Sequence, residues 1–195
     1  MESKIFLERY FSELTHLTGL FYEWQPAIRF ELGNPNEHDD RKYTDGSFHR
    51  TATLYQELHR PDDDCIVMMD VYEGDLKRKN LAPFLEKSLR FRIAMVTYNK
   101  GGATFYRFDA ACKAIEIVHL KLLRAIINAD MGIKPSIHHR VYILNKRTKT
   151  IFYVYDDRGC DVLASDIETI RPLYEQYNKW ILQYNKATID HIFGK

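Results

Sequence analysis

The run from Ile151 to Leu182 constrains the fold more than any other part of the chain, because strand, turn and helix signals follow one another there without a gap. Ile151-Phe-Tyr-Val-Tyr155 is β-branched or aromatic throughout, the composition of a strand covered on both faces. Asp156-Asp-Arg-Gly159 reads as a tight turn, in which the aspartates accept from nearby backbone N–H groups and Gly159 supplies positive φ. Cys160 to Ala164 returns as a short second strand. Ser165 with Glu168 three residues on is a capping-box pattern, so a helix starts near Ser165. Pro172 removes a helical hydrogen bond, which loosens the first turn and places regular helix from about Arg171. Leu173, Tyr177, Trp180, Ile181 and Tyr184 then recur at helical spacing, a stripe that must cover a sheet.

The rest of the chain alternates helices with hairpins. Ile5, Phe6, Tyr10, Leu14 and Leu17 make an amphipathic helix that ends before Gly19, and Ala27 to Leu32 alternates as a strand with Arg29 and Glu31 on its polar face. Residues 33–40 are polar and breaker-rich, a loop. Phe48 to His59 reads as a helix stopped by Arg60-Pro61, Cys65 to Glu73 as a strand, and Leu81 to Lys87 as a short helix. Arg90 to Tyr98 and Thr104 to Ala111 flank Asn99-Lys-Gly-Gly102, hairpin turn chemistry. Ile115 to Asp130 carries the broadest apolar arc, including Ile115 and Val118, with His119 outside it. His139 to Leu144 pairs with the Ile151 strand across residues 145–149, and Thr188 to Phe193 closes the chain as a short helix. The pattern implies an α+β domain spanning residues 1–195, with a mixed or largely antiparallel sheet of about six to seven strands covered by helices.

Tyr155-Asp-Asp-Arg-Gly-Cys-Asp161 followed by Glu168-Thr-Ile-Arg-Pro-Leu-Tyr-Glu-Gln-Tyr-Asn-Lys-Trp-Ile181 resembles the bacterial family called domain of unknown function 3885. The resemblance extends upstream through Met131-Gly-Ile-Lys-Pro135 and Val141-Tyr142, and more loosely to Ile28–Gly33. It implies no catalytic residue.

Composition narrows the function classes. With 195 residues and 45% hydrophobic content, one core can bury around 70% of the unfolded surface. Lys and Arg total 28 against 27 Asp and Glu, a balance that argues against attachment to nucleic acid or membrane by bulk charge. Cys65, Cys112 and Cys160 lack paired metal-site spacing and read as buried side chains in a reducing compartment. The N-terminus has no signal-peptide core and no run reaches the ~18 apolar residues of a membrane span, so a cytoplasmic protein is expected.

Several residue groups carry chemistry. Asp156, Asp157 and Asp161 beside Arg158 can hold a divalent cation, although turn chemistry alone accounts for them, and neither a metal nor a cofactor is expected. Arg158 can also pair bidentately with a partner's carboxylate, and Arg29 with Glu31 can line a partner-binding pocket or form a surface ion pair. Arg140, Lys146, Arg147 and Lys149 make one hairpin basic, suited to phosphate contacts as well as to edge protection. His138 and His139 point to opposite faces of a strand, and His38, Asp39, Asp40 and His49 lack ligand spacing. The common phosphate, dinucleotide, ester and zinc-protease signatures are missing.

Three functions compete. The first is a non-enzymatic protein-binding module, most concretely an immunity protein or antitoxin that occludes a toxin through a complementary surface anchored by Tyr, Trp and Arg. The second is nucleic-acid binding through the basic hairpin and the Lys77-Arg78-Lys79 loop. The third is metal-dependent hydrolysis at Asp156, Asp157 and Asp161.

Overall fold

A computed structural model of the chain describes residues 1–14, 17–74, 82–87 and 92–194. Its strands are β1 (Ala27–Glu31), β2 (Asp64–Tyr72), β3 (Ala94–Lys100), β4 (Ala103–Lys113), β5 (Arg140–Asn145), β6 (Thr150–Val154) and β7 (Gly159–Ala164). They join in one sheet of order β1-β7-β6-β5-β2-β4-β3, and every neighbouring pair is antiparallel. The fold is α+β with a single sheet. The helices are α1 (Glu2–Tyr10), α2 (Leu20–Glu23), α3 (Asp40–Leu58), α4 (His119–Asp130), α5 (Ile167–Gln176) and α6 (Lys186–Ile192).

Both faces of the sheet are covered. Phe152 and Tyr153 are neighbours on β6 and point to opposite sides. Phe152 meets Tyr55 of α3, with ring centroids 6.1 Å apart. Tyr153 instead stacks on Tyr142, whose hydroxyl donates to the Leu17 carbonyl at 2.8 Å. α3 therefore lies on one face and the N-terminal segment on the other. The five residues of β6 and the six of β7 are all buried, Asp161 of β7 among them.

Local chemistry moves several boundaries away from the sequence expectation. α3 begins at Asp40, eight residues before Phe48, because Asp39 caps it by accepting from the Lys42 N–H at 2.9 Å. α1 stops at Tyr10. The helix expected from Ile115 starts at His119, and Ile115 sits on a preceding 3₁₀ turn with 69% of its surface exposed. α5 is capped by Asp166 and not Ser165, and it runs through Pro172. The loose first turn expected from Pro172 does not form, since α5 is helical from Ile167. The expected stripe to Tyr184 is interrupted after Gln176 by two 3₁₀ turns, and Tyr184 is 86% exposed. β3 runs Ala94–Lys100, while Arg90, Leu81 and the Lys77-Arg78-Lys79 loop lie outside the described residues.

Gly159 does not adopt positive φ. Its small size is needed for a different reason: a Cβ there would sit 2.8 Å from the Phe30 carbonyl of β1 and collide with the Tyr155 ring. Cys65, Cys112 and Cys160 are buried free thiols, and burial pushes each of them well above the ordinary thiol range. No helix among the described residues is long and apolar enough to cross a membrane.

Candidate interaction surface

The two ends of the sheet differ. At the β1 end, Phe30 forms an isolated bridge with Ile181, and the Leu182 N–H donates to the Arg29 carbonyl at 3.0 Å, so the chain closes its own edge. At the other end, β3 pairs only with β4 among the described residues. Met95 is 52% and Val96 41% exposed, and only Tyr98 in the strand is partly covered. Proline and inward-pointing charge, the usual protections of a free edge, are missing, and Lys100 stands at the strand's end.

The β3–β4 turn sets which backbone groups are free. Gly101 (φ 57°) and Gly102 (φ 76°) form a two-residue loop with both φ angles positive, the type I′ geometry. Such a hairpin closes on a hydrogen-bonded pair, here Lys100 with Ala103, and bonded and non-bonded pairs then alternate along the strands. Met95, Thr97 and Asn99 fall on the non-bonded positions. Their N–H and C=O groups point outward, towards any strand laid alongside.

Behind this edge lies an aromatic and charged cluster. Arg107 Nε donates to Asp70 Oδ1 at 2.7 Å and its Nη2 donates to Oδ2 at 2.8 Å. Burial works against the guanidinium charge, but the bidentate pair outweighs it and holds Arg107 above its ordinary pKa. The Tyr98 hydroxyl donates to the same carboxylate at 3.0 Å, and the Arg107 guanidinium lies 5.0 Å from the Tyr98 ring centre. Burial, then the Asp70 charge, raises the Tyr98 hydroxyl. Phe105 stacks on Tyr98 at 5.5 Å and meets Tyr72 at 5.7 Å. Neither Asp70 nor Arg107 stood out in sequence. Asp70 interrupts the apolar run of β2, and a charge amid Met69 and Val71 is the signal that marks it.

The residues singled out around the turn after β6 separate into two groups. The β1–β7 register sets Arg29 opposite Asp161, and Arg29 Nε and Nη2 donate to the two Asp161 oxygens at 2.7 and 2.8 Å. Phe21, Tyr22 and Tyr155 surround that guanidinium with ring centres 5.0, 4.9 and 5.5 Å away. Burial pushes the Asp161 carboxyl up, and the Arg29 bonds pull it back. Glu31 is half-buried on the same strand, and its carbonyl accepts from Arg50 Nη1 at 2.9 Å.

Asp156 and Asp157 belong to the other group. Asp156 accepts the Arg158 N–H at 2.8 Å, the Asx turn expected of an Asp-rich corner, and its carboxylate also pairs with the Arg158 guanidinium. Burial, then the bond to Asp157, pushes the Tyr43 hydroxyl up to about 12. Asp130, at the C-terminus of α4, joins Asp156 and Asp157, with one oxygen from each lying within 4.8 Å of the others. Asp161 is not in that group.

A family model described as Domain of unknown function (DUF3885) matches residues 4–185. The chain belongs to that family. It is 29% identical over 205 residues to the uncharacterized protein YnaE of Bacillus subtilis (strain 168), an alignment covering 92% of this chain and 96% of that protein. No solved structure matches it.

In this DUF3885 chain the cations of the basic hairpin have neighbours within the chain. Arg147 pairs with the buried Asp63, with Nη2 to Oδ2 at 2.9 Å, and Lys146 pairs with Glu2. Lys149 Nζ sits 5.4 Å from the Tyr10 ring centre. Arg140, at the exposed start of β5, lies opposite Asp70 of β2.

Proposed function

We propose that this DUF3885 domain is a non-enzymatic protein-binding module that works in the cytoplasm, takes a strand of its partner along β3, and most concretely neutralises a toxin by covering it. The edge of β3, which has no strand beside it among the described residues, opposite an edge that the chain closes itself, is the observation that carries this reading. Strand addition draws affinity from the outward backbone groups of Met95, Thr97 and Asn99 and specificity from side chains on either face. The Tyr98, Phe105 and Arg107 cluster supplies the aromatic and arginine anchors from which interface energy usually comes.

The competing readings draw less support. Of the four hairpin cations, Arg147 pairs with the buried Asp63, Lys146 with Glu2 at the surface, Lys149 lies against the Tyr10 ring and Arg140 stands opposite Asp70. The Lys77-Arg78-Lys79 loop lies outside the described residues. Hydrolysis through Asp156, Asp157 and Asp161 as a trio draws less support because Asp161 serves Arg29, and the carboxylate that joins Asp156 and Asp157 is that of Asp130.

The test begins by recovering proteins held by the tagged chain in its host, products of neighbouring genes included, and expressing each alone and with the chain. The expected result is a stoichiometric partner that arrests growth alone and is harmless in the chain's presence. Thr97→Pro, which removes an outward N–H and no bond to β4, should lose both retention and protection. Recovery of no stoichiometric partner, or full retention by a folded Thr97→Pro chain, would overturn the reading.

A further inference from the structure

A cavity of about 320 Å³ opens on the sheet face that carries the N-terminal segment, over β1, β7, β6 and β5 and not over β3. That volume stands at the lower end of the range of small-molecule pockets. Register brings its polar residues to one face: Arg29 lies opposite Asp161, Asp161 opposite Tyr153, and Tyr153 opposite Tyr142, two residues from Arg140. Arg29, Asp161, Tyr153 and Arg140 all line the cavity, with Tyr155 beside them.

Arg29 is fixed in place and still has donors to give. Its Nε and Nη2 donate to the two oxygens of Asp161, and three aromatic rings surround the guanidinium. The third nitrogen, Nη1, meets no acceptor among the described residues, and it is not one of their buried unpartnered atoms, so it is open to solvent. The Arg29 side chain is 14% exposed and that of Asp161 only 1%, so the cation of the pair faces outward and the carboxylate does not.

Arg140 supplies a second guanidinium. It is exposed, and among the described residues it forms no hydrogen bond or ion pair. Its register partner on β2 is Asp70, but Arg107 takes both oxygens of that carboxylate and the Tyr98 hydroxyl donates to it as well. Two guanidinium charges lining the cavity therefore stand against the single carboxylate of Asp161, and one positive charge is left without a counter-charge.

We infer that this cavity binds a small organic oxyanion, a carboxylate or a phosphate monoester, with Arg29 Nη1 and the Arg140 guanidinium as donors to its oxygens. The rings of Tyr153 and Tyr155 take the body of the molecule. A planar guanidinium matches the oxygens of either group, and one already held by Asp161 loses little freedom on binding.

Three probes decide the matter: benzoate and phenyl phosphate, which carry the charge, and benzamide, the neutral counterpart of benzoate. The unaltered chain, labelled with ¹⁵N, is titrated with each at low salt and followed by NMR through the Arg29 Nε–H, which its bond to Asp161 shields from exchange with water. Benzoate or phenyl phosphate should shift that signal saturably and bind at least about tenfold more tightly than benzamide, the difference expected for one hydrogen bond to a charged group. The tighter of the two identifies the oxyanion. Arg140→Gln, at an exposed position without a partner, should weaken that anion by about tenfold and leave benzamide unchanged. Equal affinity for the anions and benzamide, no response to either anion up to its solubility limit, or undiminished anion binding by a folded Arg140→Gln chain would overturn the inference. If that variant fails to fold, the three-probe comparison on the unaltered chain decides alone.

Discussion

At pH 7 His59 is neutral, since burial pulls its imidazole down to about 4 against the opposing effect of its bond to the Tyr55 carbonyl. The unfolded ring titrates near 6.5, so below that pH the unfolded chain takes up a proton that the folded chain refuses. Stability therefore falls as pH drops from 6.5 to 4, by about 3 kcal/mol from this residue. His119 is lowered in the same direction by burial and adds to the loss. Asp63 acts elsewhere: burial opposes ionisation, but bonds from Arg147, the Arg60 N–H and Asn145 hold it near 2, so its contribution disappears only in stronger acid. His59→Phe should keep the stack on Tyr55 and flatten most of the decline between pH 6.5 and 4. The Tyr55 carbonyl stays satisfied in that variant, because the backbone N–H of residue 59 already donates to it at 3.1 Å. Urea midpoints across that window measure the effect, and equal slopes for the two chains would contradict it.

Among the elements, α3 has two positions whose effects are opposite in sign. Asp39→Ala removes the cap on the Lys42 N–H and should cost about 1 kcal/mol. Gly46 is exposed within the helix and nothing lies within 4 Å of an added Cβ, so Gly46→Ala should stabilise by about 0.5–1 kcal/mol. Chemical denaturation of the two variants checks both signs. The same helix shows where sequence reading runs short: Asp39 and Asp40 look like loop residues beside Gly33 and Pro35, and only the accepted Lys42 N–H reveals a cap. Strands were more legible, because Ile151–Tyr155 and the Asn99–Gly102 turn carry their signals locally. Arg29 and Asp161 each stood out alone, yet their pairing across 132 residues depends on β1 joining β7, which no local pattern encodes. His59 and His119 stayed inconspicuous for the same reason, since their common partner Tyr55 stands four residues from one and 64 from the other.

Over the whole molecule, one sheet runs from β1 near the N-terminus through β7, β6 and β5 to the β2–β4–β3 end, so early and late parts of the chain share one hydrogen-bonded layer. We expect a single cooperative unfolding transition, with circular dichroism and Tyr and Trp fluorescence coinciding, and two separated transitions would contradict it. The asymmetry of the sheet's ends is the observation on which the proposed partner recognition rests. Ile181 and Leu182 close the β1 side, and among the described residues nothing pairs with the outer backbone of β3. Amide exchange at Met95, Thr97 and Asn99, compared between the chain alone and the chain recovered with its partner, tests this most directly. Strand addition at β3 predicts that these three amides slow together, by more than about tenfold, in the complex. Unchanged exchange at all three in a stable complex would contradict it.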